Sequence, residues 1–265
     1  MQLSCLPLFG FGRAPFWALS LLLLTSTVQA GQNEAAITSP QEKPINTIVL
    51  INPNSNTEAT ASMAELAQRE IGAQARLKGL TNTVAPALLT TPQDMREAAA
   101  GVVALGVEAA ADARVAALIV SAFSDPGLEA LRDRVQIPVF GIGEAVFHEA
   151  ARDGRAFGIV TVTPDEQLIA SFERKAAELG YAEQYRGTRV TPGDPSELVA
   201  APDRLDAALA VAVRASIEQD SAQAVIMGGG PLSAAAIRLQ PQFGVPLLVA
   251  VNAAARAAVN AIDQP

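Results

Sequence analysis

Cysteine is almost absent from this sequence. Cys5 is the only one in 265 residues, and it lies in an N-terminal stretch that reads as removable. A chain processed there has no disulfide framework and no thiol chemistry, whatever compartment it works in. Histidine is as scarce, with His148 alone. A zinc site would therefore have to be built mostly from carboxylates, which is uncommon. Basic charge is also short, 19 Lys and Arg against 27 Asp and Glu, for a net charge of −8. That balance gives no electrostatic case for binding nucleic acid or an anionic membrane surface. Gly228-Gly229-Gly230 lacks both the Lys-Ser/Thr of a phosphate-binding loop and the spacing of a dinucleotide fingerprint. Neither metal nor cofactor is expected.

What the chain does have is aliphatic residues. Half of it is hydrophobic, but only 5% is aromatic, a mixture that suits Ala-rich helices packed on buried parallel strands. The first thirty residues stand apart. Arg13 precedes the apolar run from Phe16 to Leu24, and Val28-Gln29-Ala30 places small residues where a signal peptidase reads them. The run is shorter than the roughly 20 residues of a spanning helix, which favours a cleaved signal over a retained anchor. Residues 1–30 are read as a signal peptide and 31–44, with Pro40 and Pro44, as a linker. Cleavage after Ala30 removes Cys5 and Arg13, makes the mature chain slightly more acidic, and leaves no membrane-binding segment.

From residue 45 onward, short β-branched runs alternate with helical patterns. The strand candidates are Ile48 to Asn52, Ala117 to Ser121, Val139 to Ile142, Phe157 to Val162, Ala224 to Met227 and Pro246 to Val251. This alternation predicts an α/β fold with mostly parallel sheets and functional loops beyond the strands' C-terminal ends. An internal repeat divides it. Ala117-Leu118-Ile119-Val120, a small-residue turn and Ile137-Pro138-Val139-Phe140 recur as Val225-Ile226-Met227, Gly228-Gly229-Gly230 and Val245-Pro246-Leu247-Leu248. Ile48 to Asn54 likewise resembles Ile159 to Thr163 followed by Pro164. Two pseudo-symmetric lobes follow, residues 45–150 (completed by the C-terminal helix) and 151–265, with a ligand cleft between them.

Four loops would line that cleft, beginning at Asn52, Ser121, Thr161 and Gly228. Asn52, Asn54, Ser55, Ser121, Phe123, Ser124, Thr161, Thr163, Gly229 and Gly230 are the candidate binding residues. Short hydroxyls, amides and free backbone N–H groups ahead of helices accept carboxylates or ring carbonyls. Taken singly, each loop also reads as turn punctuation or helix capping. Asp125, Glu144 and His148 are the candidate acid–base groups. Asp125 has the alternative task of capping the helix that Pro126 begins, and Glu144 that of favouring a helix N-terminus by charge. His148 falls four residues after Glu144, on the same helical face, and is otherwise a packed bystander.

These stretches, namely Ile51-Asn52-Pro53-Asn54-Ser55, Phe123-Ser124-Asp125-Pro126-Gly127-Leu128, Pro138 to Ala145 and Gly228-Gly229 before a helix, carry a resemblance. The chain resembles the Asp/Glu/hydantoin racemase superfamily, in its hydantoin and allantoin racemase-like branch, over nearly all of residues 45 to 260. The resemblance implies a two-lobed scaffold and a small carboxylate or cyclic-amide ligand. It also implies two cysteines facing each other across the cleft, one on each side of the proton to be moved. Ala122 and Gly229 occupy those positions here. The related arylmalonate decarboxylases keep the second thiol, so the sequence departs from them as well.

The leading expectation is a cofactor-independent isomerase acting on a small amino-acid derivative or cyclic ureide without the two-cysteine route. An exported binding protein without turnover is the alternative, and a lyase or hydrolase using carboxylates is a third. Assembly into a homo-oligomer stays open. Export is testable at once: cells expressing the full chain should hold a shorter protein beginning at Gly31 outside the cytoplasm, identified by N-terminal sequencing and mass. Recovery of only an unprocessed, membrane-integrated chain would contradict it.

Overall fold

In the computed structural model, the described residues are 45–263 apart from 88, 90, 91, 230 and 231. The signal peptide, the whole linker and Gly230 thus lie outside the described residues. The first half runs β1 (Thr47–Asn52), α1 (Thr57–Ile71), β2 (Arg76–Thr81), α2 (Pro92–Ala110), β3 (Val115–Val120), α3 (Leu128–Arg132), β4 (Val139–Gly141) and α4 (Ile142–Ala150). The second runs β5 (Phe157–Thr161), α5 (Glu166–Glu178), β6 (Tyr185–Val190), α6 (Pro195–Val199), α7 (Pro202–Glu218), β7 (Ala224–Met227), α8 (Ser233–Leu239), β8 (Leu247–Leu248) and α9 (Ala250–Asp263). Each half forms a four-stranded parallel sheet, in the orders β2-β1-β3-β4 and β6-β5-β7-β8. The α/β class and the duplicated parallel sheets are as the sequence predicts.

Two strands were not among the candidates. β2 (RLKGLT) and β6 (YRGTRV) each form one edge of their sheet with exposed or half-buried residues, whereas β4 and β8 at the opposite edges are mostly buried. These two edges bury little and carry charge that blunts pairing with other chains, so they lack the apolar run that marks a buried strand. The opposite error occurs at the C-terminus. Of the apolar stretch Pro246–Val251, only Leu247 and Leu248 pair as a strand, and α9 begins at Ala250. Periodicity cannot separate a short buried strand from the buried first turn of a helix.

Local chemistry sets the helix starts. The Asn56 side chain accepts from Ala59 N at 2.9 Å to cap α1, Asp165 accepts from Leu168 N at 2.7 Å to cap α5, and Asp194 accepts from Glu197 N at 3.0 Å ahead of Pro195 to cap α6. Within β1 the side chains alternate between two cores. Ile48 and Leu50 join the large core that also contains the second sheet, while Val49 and Ile51 join a smaller one with Val102 and Leu131.

The connection between halves is an exchange. α4 follows the first sheet but packs on β7 and β8, and α9 follows the second sheet but packs on β3, β4 and α1. The two helices also pack on each other. Arg256 of α9 binds the Glu149 carboxylate of α4 at 2.7–3.1 Å and Glu70 of α1 at 2.6 Å. Asn252 donates to Glu70 at 2.8 Å. At the centre Phe147 of α4 is fully buried, with ring edges against Phe123 at 5.9 Å and Phe157 at 5.5 Å. Because this core belongs to both halves, Phe147→Ala should cost about 3–5 kcal/mol and move one common denaturation transition. Two separate transitions in urea, of which only one shifts, would contradict the shared core.

Candidate functional site

The loop after β1 is held by its own amides. Asn52 is buried, and its Nδ2 donates to Asn54 Oδ1 at 2.9 Å, to Asn56 O at 3.0 Å and to Thr60 Oγ1 at 3.0 Å. Asn52 therefore shapes the loop, and Asn54 is the member presented to the cleft. Ser55 donates its N–H to Pro86 O at 3.2 Å and anchors the loop to the segment after β2.

The loop after β3 contains the densest set of interactions. Ser121 is buried, with its hydroxyl on Met63 Sδ at 2.8 Å. Asp125 is only 8% exposed and has φ +50°, in the left-handed region that Asp tolerates better than most residues. Its carboxylate does not cap α3, whose N-cap is Gly127 and which has no side-chain cap. It caps α4 instead: Gly143 N donates to Oδ1 at 2.9 Å and Glu144 N to Oδ2 at 2.8 Å. Oδ2 also pairs with Lys175 of α5, whose Nζ donates in addition to Phe123 O at 3.2 Å. Burial pushes the Asp125 carboxyl above the usual range, while Lys175 and the two N–H groups pull it down. These bonds occupy both oxygens, so the structure gives Asp125 a positioning task. They also explain the glycines of Gly141-Ile142-Gly143. A Cβ on Gly143 would lie 2.0 Å from Phe123 O, and one on Gly141 would lie 2.4 Å from Asp125 Cγ.

Glu144 and His148 are together, as their spacing predicts. His148 Nε2 lies 3.1 Å from Glu144 Oε1, and Arg132 donates to Glu144 Oε2 at 3.0 Å. His148 Nδ1 then reaches Tyr181 Oη, in the second half, at 2.7 Å. The bonds to His148 and Arg132 outweigh partial burial and hold the Glu144 carboxyl down at about 2. Glu144 corresponds in the repeat to Asn252 and His148 to Arg256, so the two helices use equivalent positions to hold opposite halves.

In the second half Thr161 is fully buried, donating to Gly228 O at 3.0 Å and accepting from Thr163 N at 3.2 Å. It ties its own loop to the loop after β7. Gly229 is exposed and has φ +154°, a conformation L-residues rarely adopt.

Between the halves lies a cavity of about 460 Å³. Asn54, Ala122, Phe123 and Ser124 form its wall on one side, and Leu168, Ser171, Phe172, Arg174, Lys175 and Glu178 of α5 form the other, with Leu89 and Met95 completing it. Phe123 and Phe172 meet edge to face at 5.1 Å. Ser55, Thr161, Thr163, Gly229, Asp125, Glu144 and His148 are not part of this wall among the described residues. The α5 face was missed from sequence because its polar residues read as the solvated side of an amphipathic helix. A second cavity of about 400 Å³ is bounded by Glu70, Asn252 and Arg256, but its charges are paired with one another. Among the described residues no cluster of three or more His, Cys, Asp or Glu could hold a metal ion, and no helix is long and apolar enough to cross a membrane.

Residues 48–258 match the family model described as Asp/Glu/Hydantoin racemase. The chain is 29% identical over 211 residues to a hydantoin racemase of Rhizobium meliloti, covering 80% of this chain and 86% of that one. It is 24% identical over 219 residues to the hydantoin racemase of Paenarthrobacter aurescens, covering 81% and 90%. Among solved structures, allantoin racemase from Klebsiella pneumoniae shares the fold with a TM-score of 0.73 at 22% identity, over 82% of this chain and 88% of that one.

The Glu144 cluster makes a prediction about acid stability. A carboxyl held at about 2 in the folded chain, against the ordinary glutamate value of 4.5, stabilises the fold above pH 4.5 and loses that contribution as pH falls towards 2. Glu144→Gln should therefore lower stability at pH 7, on the order of 1–2 kcal/mol for a group about 20% exposed. The difference from wild type should shrink between pH 4.5 and 2 in urea titrations. A difference independent of pH would show that the charge is not what Arg132 and His148 hold.

Proposed function

We propose, from the premise that this chain belongs to the Asp/Glu/hydantoin racemase family, that the cavity between its halves receives a small cyclic ureide or amino-acid derivative. The protein would act there as an isomerase-type enzyme that exchanges the proton beside a carbonyl. The observation that carries this reading is the meeting of Asn54, Ala122, Phe123 and Ser124 in one cavity of about 460 Å³. That volume suits a single small ring. Its relatives are hydantoin racemases, and the wall offers what an enolisable ring needs, an apolar floor of Phe123, Phe172 and Leu168 with the amide of Asn54 and the hydroxyl of Ser124, whose other contact is a long one to Met95 Sδ at 3.6 Å, as donors.

Proton transfer here would not use a thiol. Ala122 stands in the cavity wall with a methyl group, and Gly229 has a backbone conformation that disfavours any side chain. The two oxygens of Asp125 are occupied, and Glu144 and His148 lie outside the wall. Glu178 is the carboxylate that the wall itself supplies. The two vacated positions also favour a second reading, in which the cavity captures such a ligand without turning it over. The N-terminal leader pattern supports work outside the cytoplasm for either reading.

Proton exchange separates the two. The protein is incubated in D₂O with hydantoin derivatives, allantoin, aspartate and glutamate, and the α-proton signal is followed by NMR while calorimetry measures binding. Loss of the signal beyond the protein-free rate is the outcome expected of the isomerase. Binding without exchange would leave the capture reading, and absence of binding by every compound would overturn both.

A further inference from the structure

We propose that Arg174 selects the ligand of this cavity by charge, favouring a ureide or amino-acid derivative that carries a carboxylate beside the reacting centre over its neutral counterpart. The inference rests on the reading of the cavity as a ureide site and adds to it the residue that sets specificity. Two cations stand on the α5 wall, Arg174 and Lys175. Lys175 is spent: its ammonium is paired with the buried Asp125 carboxylate and with Phe123 O. Arg174 makes no ion pair with any described residue, although the chain has 27 acidic side chains for 19 basic ones. Elsewhere in the fold Arg132, Arg189, Arg238 and Arg256 are paired with carboxylates, whereas cations such as Arg76, Arg134 and Arg186 form no ion pair with a described residue; Arg174 is the unpaired cation that stands in the cavity wall.

Its position is fixed more firmly than its exposure suggests. The Asp125–Lys175 pair and the Phe123–Phe172 contact lock α5 against the loop after β3, and Arg174 is the residue next to Lys175. The helix therefore brings the Arg174 side chain to the rim of the cavity with its guanidinium donors unpaired. A planar guanidinium binds a carboxylate through two parallel bonds, a geometry that a lone ammonium cannot reproduce. Glu178, one helical turn further along the same wall, repels an anion at its own end and directs it towards Arg174. A neutral ring leaves both charges unused. A ring or amino acid with a carboxylate arm uses Arg174 as its anchor and lets the reacting carbon lie against Ala122 and Ser124.

The test compares two ligands of nearly the same shape, hydantoin-5-acetic acid and its primary amide, by calorimetry on the full chain and its variants. Wild type should bind the acid about tenfold more tightly than the amide, and added salt should narrow the gap. Arg174→Gln should abolish the preference by weakening the acid alone, while Arg174→Lys should keep part of it. Arg174 is exposed on α5, so circular dichroism of both variants should match wild type. Equal affinity of wild type for acid and amide, or a preference that survives in Arg174→Gln, overturns the inference while leaving the ureide reading in place. Complete loss of the preference in Arg174→Lys would mean that shape and not charge is read, which also overturns it. Failure of both ligands to bind removes the ureide reading and this inference together.

Discussion

A single buried carboxylate holds the cleft in shape. Asp125 takes the N–H groups at the start of α4 and the ammonium of Lys175, so one side chain fixes its own loop, the helix after β4 and the first helix of the second half. Burying that charge is expensive, and the pair is tolerable only because nearly every lone pair is satisfied. The geometry has further costs. Asp125 sits at positive φ, and Gly141 and Gly143 must lack side chains for the α4 terminus to come close enough. What these costs secure is the placement of Phe123 against Phe172, and with it the cavity between the loop and α5.

The exchange of α4 and α9 explains why two sheets act as one body. Each helix leaves its own sheet and completes the other's core, so neither half closes off its apolar surface alone. Their polar faces have diverged at equivalent positions. On α4, Glu144 and His148 reach Tyr181 beyond the end of α5, and on α9, Asn252 and Arg256 reach Glu70 at the end of α1. The common design is a helix that crosses over and pins the far end of the other half's first helix. The chemistry of each pin is free to differ because its task is mechanical.

Within this frame, the two positions that the family resemblance assigns to thiols differ in kind. Ala122 is an ordinary residue in the cavity wall, where a larger side chain would extend into the cavity. Gly229 has a backbone geometry of its own, and any Cβ there meets conformational resistance. On the opposite wall, Arg174 and Glu178 of α5 make no ion pair with a described residue.

Much of this was legible in the sequence, and for identifiable reasons. The α/β class, the central strands and the duplicated halves follow from apolar runs that must be buried and from a repeat that preserves them. The pairing of Glu144 with His148 follows from helical spacing, and the meeting of Asn54, Phe123 and Ser124 from loops at the strands' C-terminal ends. These are local or periodic properties, written in neighbouring residues. The edge strands β2 and β6 were not legible, because they bury little and carry charge, unlike the apolar edge strands β4 and β8. Nor was the task of Asp125, whose partners at Gly143, Glu144 and Lys175 are far along the chain, nor the α5 wall, whose polar residues look solvated until the other half is placed against them. Only tertiary structure decided which polar groups are spent on one another and which remain free for a ligand, since that depends on distances between side chains that the sequence keeps apart.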